Sequence, residues 1–471
     1  MTERINSFPD FSGAFGDKRI AKRATEVLNK LTLGRSSSVR QISHSQSEQK
    51  GFYRLLNNEG FSEEQISERI VARCGQLSEG RHVLCIQDSS EINLTSHRGR
   101  FKKDSGIGKT GKDGLVGFML HPCFIVDAVT STALGYSYIQ LWHRPEGSPN
   151  RLERQYRKQP IEIKESYRWL DAIEQSRQQL AKAAQLTIIA DREADIYDLF
   201  GRYGNTATKL IIRSSSNRNV NQEKEKISAY LSRQVVKHTY SIEVRGDIRK
   251  KISRRQAKLE VKWATVTLHK SNSCNDKSLP LTVNVNVVEV REVGDKPGIY
   301  WRLYTTHAIT CAEDALQVIH WYQQRWYIEQ LFRLLKLQGM RIESSQLESG
   351  WAIRRLTLLA LLAILRIMQM YLAYEDDNEQ LMEEAFTIQE QLCLQQLNNQ
   401  LSGPSDKLNN PYQPSSLKWA AWVIARLGGW KGYSSQRRPG PIVLHNGFIK
   451  FYQLFEGWKL ALSFLKDVGT Q

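Results

Sequence analysis

Three acidic residues stand where a chain could bring them to one place. Asp88 closes the short apolar run Val83-Leu-Cys-Ile-Gln87, and Asp191 closes Leu186-Thr-Ile-Ile-Ala190. A buried strand that ends in a carboxylate delivers it to the edge of a sheet. Glu329 lies in the string Tyr322-x-x-Arg325-x-x-x-Glu329-x-x-x-x-x-x-Lys336. Its intervals of three, four and seven are helix-face spacings, which predict that all four side chains project from one side of one helix. Three carboxylates on rigid elements can hold a pair of divalent cations ~3.5–4 Å apart, which activate the attacking oxygen and stabilise the leaving oxygen in phosphodiester chemistry. Such oxygen donors suit two Mg²⁺ ions, with Mn²⁺ as substitute. The flanking cations, Arg333 among them, suit phosphates. The plainer readings are a turn or cap residue for each strand-end acid and a salt-bridged amphipathic helix for the string.

The elements that must position these groups follow from periodicity. The second carboxylate emerges within Asp191-Arg-Glu-Ala-Asp195, after a helical stretch from about 161 to 184. Between the two acids, 117–128 and 131–141 read as a hairpin joined by a tight polar turn. From about 209 to 306 the pattern becomes β-rich, and helical spacing returns from 311 to 370. A Gln-rich helical arm (379–400), a Pro/Ser/Asn linker (402–416) and aromatic helices at 417–427 and 441–468 complete the chain. The basic, glycine-rich loop 98–114 contains Gly108-Lys109-Thr110, but Lys103 stands where a phosphate-cradling loop needs its leading glycine.

Ahead of all this, residues 17–66 form a basic helical segment. Ile20, Ala24, Val27, Leu28 and Leu31 make one stripe, and Lys18, Arg19, Lys22, Arg23 and Lys30 crowd the other face. Arg35, Arg40, Tyr53 and Arg54 add the cations and aromatic of phosphate and base-edge contacts; a solvated helix face is the alternative. Across the chain, 66 Lys+Arg against 49 Asp+Glu leave +17, which makes nucleic acid the first partner to consider, with a protein that is merely basic as the alternative. Six scattered cysteines match neither a zinc site nor a disulfide scaffold. The longest apolar run, 356–365, is far short of the ~20 residues of a membrane span, so a cytoplasmic protein is expected.

The Tyr, Arg, Glu, Lys string resembles the signature of the DDE transposases of insertion-sequence family four, the Tn-five type. Gln87-Asp88-Ser-Ser and Asp191-Arg-Glu-Ala-Asp195 are similar to that family's first and second catalytic blocks. Gly51-Phe-Tyr-Arg54, Leu210-Ile-Ile-Arg213, Tyr300-Trp301, Ile424-Ala-Arg-Leu-Gly-Gly429 and Glu456-Gly-Trp458 match in consistent order. The resemblance implies an α/β fold: a ribonuclease H-like mixed sheet (71–370) with a β-rich insertion at about 209–306. A helical end-binding domain (1–70) precedes it and a helical dimerisation region (371–471) follows. It further implies that Asp88, Asp191 and Glu329 hold the metals and that Tyr322, Arg325 and Lys336 grip the cleaved end. Trp301 would stack on a flipped base, Arg213 would bind the end, and a homodimer would pair two terminal inverted repeats and join them to target DNA. A catalytically silent regulator, a simple nuclease and a glycoside hydrolase with paired carboxylates are the rivals. The net charge disfavours a neutral sugar.

Overall fold

The computed structural model describes residues 11–33, 36–102, 105–110, 114–144, 159–244, 253–294, 298–375, 378, 380–403, 409–433 and 436–468. Four helices come first: α1 (Lys18–Leu33), α2 (Val39–Ile42), α3 (Gln46–Leu56) and α4 (Glu63–Leu77). Strands β1 (His82–Gln87), β2 (Ser90–Asn93), β3 (Gly108–Lys109), β4 (Val116–Asp127) and β5 (Ala133–Trp142) follow. Next come α5 (Tyr167–Gln179), β6 (Gln185–Ala190), α6 (Tyr197–Tyr203), β7 (Lys209–Arg213), β8 (Asn219–Val220), β9 (Glu225–Lys226) and α7 (Ile227–Ser232). Strands β10 (His238–Val244), β11 (Arg255–His269), β12 (Thr282–Glu292) and β13 (Tyr300–Thr305) precede the last helices: α8 (Ala312–Gln323), α9 (Trp326–Arg333), α10 (Gly350–Leu372), α11 (Ile388–Leu401), α12 (Leu417–Leu427) and α13 (Pro441–Val468). The chain divides into two compact units, one within 1–78, 89–146 and 327–471, the other within 79–88 and 147–326.

The first unit is organised by α10. Its sequence is apolar on every side, so it can only be a core helix, and it is buried along nearly its whole length. Helices α1, α3, α4 and α13 and strand β5 pack on it. The stripe of α1 is buried at Ala24, Val27, Leu28 and Leu31, and its cations face outward. Strands β4 and β5 form the expected hairpin, with Ser131 in the left-handed region at the turn. The Tyr136 hydroxyl of β5 donates to the Leu361 carbonyl at 3.0 Å. Helices α12 and α13 cross closely at glycines: a Cβ on Gly447 would meet the Ile424 carbonyl at 1.7 Å.

The second unit is a mixed sheet in which β1, β6 and β7 run parallel. Strand β13 joins β7 antiparallel, β12 joins β13, β11 joins β12, and β8 and β10 both pair with β11. The parallel strands are buried on both faces, as their continuous apolar runs require. In β11 burial alternates, with Ala257, Leu259, Val261 and Trp263 inward and polar residues outward. Both ends of the β-rich stretch, β7 and β13, are thus continuous with the core strands; β8 to β12 extend the sheet beyond them. Helix α5 covers β1, where Cys85 meets Ser176. Helix α6 sets Phe200 edge-on against Tyr304 of β13 at 5.7 Å. The helical stretch expected over 161–184 is a 3-10 turn at Ile161–Ile163 followed by α5. Among the described residues no helix is long and apolar enough to cross a membrane. Five cysteines are buried thiols, and Cys311 is exposed.

Candidate active site

The register of the parallel strands decides what stands at their carboxyl ends. Ile86 pairs with Ile189 and Ala190 with Ile212. Continued past the last paired residues, that register sets Asp88 beside Asp191 and Asp191 beside Arg213, neighbours at the strand spacing of ~4.8 Å. On β13, Leu303 pairs with Arg213, and Trp301, two residues earlier, shares that face. All four residues are half-buried.

The turns that carry the carboxylates are fixed. Asp191 opens a 3-10 turn (Arg192–Ala194) and accepts from the Arg192 amide at 2.6 Å. It therefore also fills the cap role of the plainer reading, through Oδ1; Oδ2 makes no protein hydrogen bond among the described residues. Asp195, four residues on, is buried and accepts from the Ser215 amide (2.7 Å), the Ser215 hydroxyl (3.0 Å) and the Arg218 guanidinium. That contact bolts the exit of β6 to the exit of β7. Sequence reasoning noted Asp195 but missed Arg218. The hydroxyl run Ser214-Ser-Ser216 directly after a strand was the available signal.

Asp88 accepts from Arg325 Nη1 at 3.0 Å, the two side chains being 24% and 12% exposed. Arg325 reaches it from a break in the helix, not from a helix face. Helix α8 stops at Gln323, and the chain tightens into i to i+3 bonds, Gln324 to Trp321 (3.1 Å) and Arg325 to Tyr322 (3.0 Å), before α9 restarts at Trp326. The expectation of one continuous face carrying Tyr322, Arg325, Glu329 and Lys336 is corrected accordingly. Tyr322 ends α8 buried, its ring edge-on to Trp301 at 5.9 Å. Its hydroxyl makes no hydrogen bond of good geometry among the described residues, although the Arg213 guanidinium stands close enough to act on it as a donor. Burial raises its pKa, Asp191 raises it further, and Arg325 and Arg213 pull it back. The second unit thus brings together Asp88, Asp191, Arg213, Trp301, Tyr322 and Arg325.

Glu329, Arg333 and Lys336 belong to the first unit. Glu329 lies half-buried in the first turn of α9, and Arg333 is exposed in its last. Lys336 lies in a π-helical turn (Leu334–Gln338) that closes with the Gly339 amide on the Leu334 carbonyl. Its Nζ donates to the Glu91 carbonyl at 2.6 Å and pairs with Glu343 at 3.3 Å, so this cation ties β2 to the 3-10 turn Ile342–Ser344. Among the described residues no cluster of three or more His, Cys, Asp or Glu is drawn together as metal ligands. The adjacent carboxylates of Asp88 and Asp191 are the donor type that hard divalent cations take.

The amino-terminal cations lie on the surface of their helices. Lys18 and Arg19 are exposed in the first turn of α1, Arg19 paired with Asp17 at 3.0 Å. Arg23 pairs with Glu26 (3.1 Å) and lies over the Phe52 ring. Arg40 and Arg54 are exposed on α2 and α3, and Tyr53 is half-buried. Arg35 and the cluster Arg249-Lys-Lys251 lie outside the described residues.

Residues 164–366 match the transposase DDE domain family, and residues 12–61 match the transposase DNA-binding family. The first span includes Asp191, Arg213, Trp301, Tyr322, Arg325, Glu329 and Lys336; Asp88 lies ahead of it. The second includes every amino-terminal cation named above. The chain therefore carries a transposase DDE domain and a transposase DNA-binding domain.

Proposed function

We propose that the protein is a cut-and-paste DNA transposase of the insertion-sequence-four type. It binds the terminal inverted repeats of its element, excises the element through a DNA hairpin and joins it to target DNA. The observation that carries this reading is the placement of Asp88 and Asp191 on adjacent strand ends, with Arg325 on one carboxylate and Arg213 beside the other.

Asp88, Asp191 and Glu329 would hold two Mg²⁺ ions, which supply activation of the attacking oxygen and stabilisation of the leaving one. The protein's own residues position the strand. Arg325, already at the sheet edge, offers a planar fork that can exchange a carboxylate for a phosphate. Arg213 and Arg333 bind further phosphates, while Tyr322 and Lys336 hold the end of the transferred strand. Trp301, half-buried against Tyr322, gives a flipped base a stacking surface that offsets part of the unstacking cost. The helices of α1 to α3 bind the repeat, with Lys18, Arg19, Arg23, Arg35, Arg40, Tyr53 and Arg54 as contacts. The core is read as ribonuclease H-like and the carboxyl-terminal helices as the surface of a homodimer that pairs two ends.

The test is cleavage of linear DNA bearing the element's terminal repeats, with Mg²⁺, by wild type and by Glu329→Ala. Wild type should release the end at the repeat boundary and transfer it to a second duplex, and the variant should bind without cutting. If both bind and neither cuts, the chain is an end-binding regulator. Cleavage without strand transfer would mark a nuclease.

A further inference from the structure

The second unit contains a polar cavity of about 530 Å³ that the chemistry above does not use. It is bounded by the approach to α5 (Ile161–Ser166), the start of α6 (Asp195–Asp198), the loop after β7 (Ser216–Asn219) and the loop after β11 (His269–Ser273). Its size falls within the range of small-molecule sites.

Its cations are poorly matched by carboxylates. Lys164 is 8% exposed, and its Nζ donates only to the Ser273 carbonyl, at 2.9 Å; among the described residues no carboxylate lies within ion-pair distance of it. An ammonium has three donors, and burying one without a counter-charge is costly. Lys270, on the opposite wall, likewise donates only to carbonyls, those of Asp276 and Leu279. Arg218 is committed to Asp195 through Nη2, yet its Nε is buried without a partner. Of the two acids on the wall, Asp195 is satisfied by Arg218 and Ser215, and Asp198 is 5% exposed beside the Cys274 thiol. The balance inside the cavity calls for an anion. Hydroxyl and amide groups at its mouth, among them Ser166 and Asn272, can meet the sugar and base edges of something larger than a bare ion.

We infer that this cavity binds the phosphate of a nucleotide, with Lys164 as its central ligand. The same chemistry can be presented by a free mononucleotide or by a single DNA strand. The site is four residues in sequence beyond Asp191, but it does not depend on the chain cutting DNA.

The experiment is isothermal titration of the full-length protein at low ionic strength with thymidine 5′-monophosphate, a phosphorylated trinucleotide and inorganic phosphate. Saturable binding of the mononucleotide should weaken about tenfold or more in Lys164→Gln, the effect of losing one charge-assisted hydrogen bond. Asn272 is exposed, so Asn272→Asp should fold normally and weaken binding by repelling the phosphate. Asp191→Asn should bind as wild type does. Tighter binding of the trinucleotide identifies a DNA strand as the source, and equal or weaker binding identifies the free nucleotide. Two results overturn the inference: no binding of any probe by wild type, or binding that Lys164→Gln and Asn272→Asp leave unchanged.

Discussion

Among the described residues of the first unit, a cation bonded on several sides should be costly to remove. Arg354, 6% exposed near the start of α10, donates to both oxygens of Glu63 at 2.7 Å and to the carbonyls of Gly106 and Leu141, each at 3.0 Å. Its guanidinium lies over the Trp351 ring at 4.9 Å. These contacts join the first residue of α4, the loop before β3, the end of β5 and α10. In Arg354→Met the apolar stem survives, but the Glu63 carboxylate keeps its charge at 20% exposure and two carbonyls lose their donor. Breaking a buried pair from one side costs roughly 3–5 kcal/mol, a large share of the ~5–15 kcal/mol that holds a domain together. Adding Glu63→Gln removes the stranded charge and should return part of that loss, so the double variant should be more stable than Arg354→Met alone. Urea denaturation followed by tryptophan fluorescence measures all three proteins. A single-variant cost below ~1 kcal/mol, or strict additivity of the two changes, would refute the reasoning.

Two further outcomes follow from the second unit. Tyr322→Phe removes a buried hydroxyl with only the Arg213 guanidinium close enough to donate to it among the described residues, so stability should change by no more than ~1 kcal/mol while end cleavage falls. A loss of more than ~1 kcal/mol in denaturation would show that the hydroxyl is bonded. His307 shares the Thr187 hydroxyl with His82, and burial, then His82 and Lys209, lower its pKa to about 4. The unfolded chain takes up that proton near pH ~6.5, the folded chain only near 4, so the stability present above ~6.5 should be lost as pH falls through this window, by ~3 kcal/mol at most. Denaturation between pH 4 and 7 should show a shallower slope in His307→Gln, and an unchanged slope would remove His307 as the cause.

The strand ends were legible because a short apolar run closed by an acid marks where a buried strand stops, although one such acid alone reads equally as a turn or cap residue. Asp88 and Asp191 sit where those runs said they would. What periodicity could not show is where a helix stops. The spacing of Tyr322, Arg325, Glu329 and Lys336 fits one helix, yet i to i+3 bonds interrupt it at Gln324 and a π-turn distorts it at Lys336. The π-turn closes onto Gly339, where a Cβ would meet the Leu334 carbonyl at 2.3 Å. Gly339 was therefore the local signal, and it went unread. In the sequence Arg354 and Arg366 merely flank the apolar run 356–365. Both are buried, because carboxylates at Glu63 and Glu390 meet them, and pairing across that much sequence leaves no periodic trace.

Net charge has the same weakness as a guide to DNA, because it sums cations that do different things. Arg218, Arg354 and Arg366 each face a carboxylate inside the fold and add little to an outer field. Lys18, Arg40 and Arg54 are exposed, and among the described residues none has a carboxylate partner. They all fall within the span that matches a transposase DNA-binding domain. At the sheet edge the situation is intermediate. Acids on adjacent strand ends repel one another, and Arg325 on Asp88 offsets part of that. A cation so placed has a role before any DNA arrives, because it is already paired with an acid of the protein. Lys18, Arg40 and Arg54 have none of that work to do, so their exposure points to an outside partner in a way that the total of +17 does not.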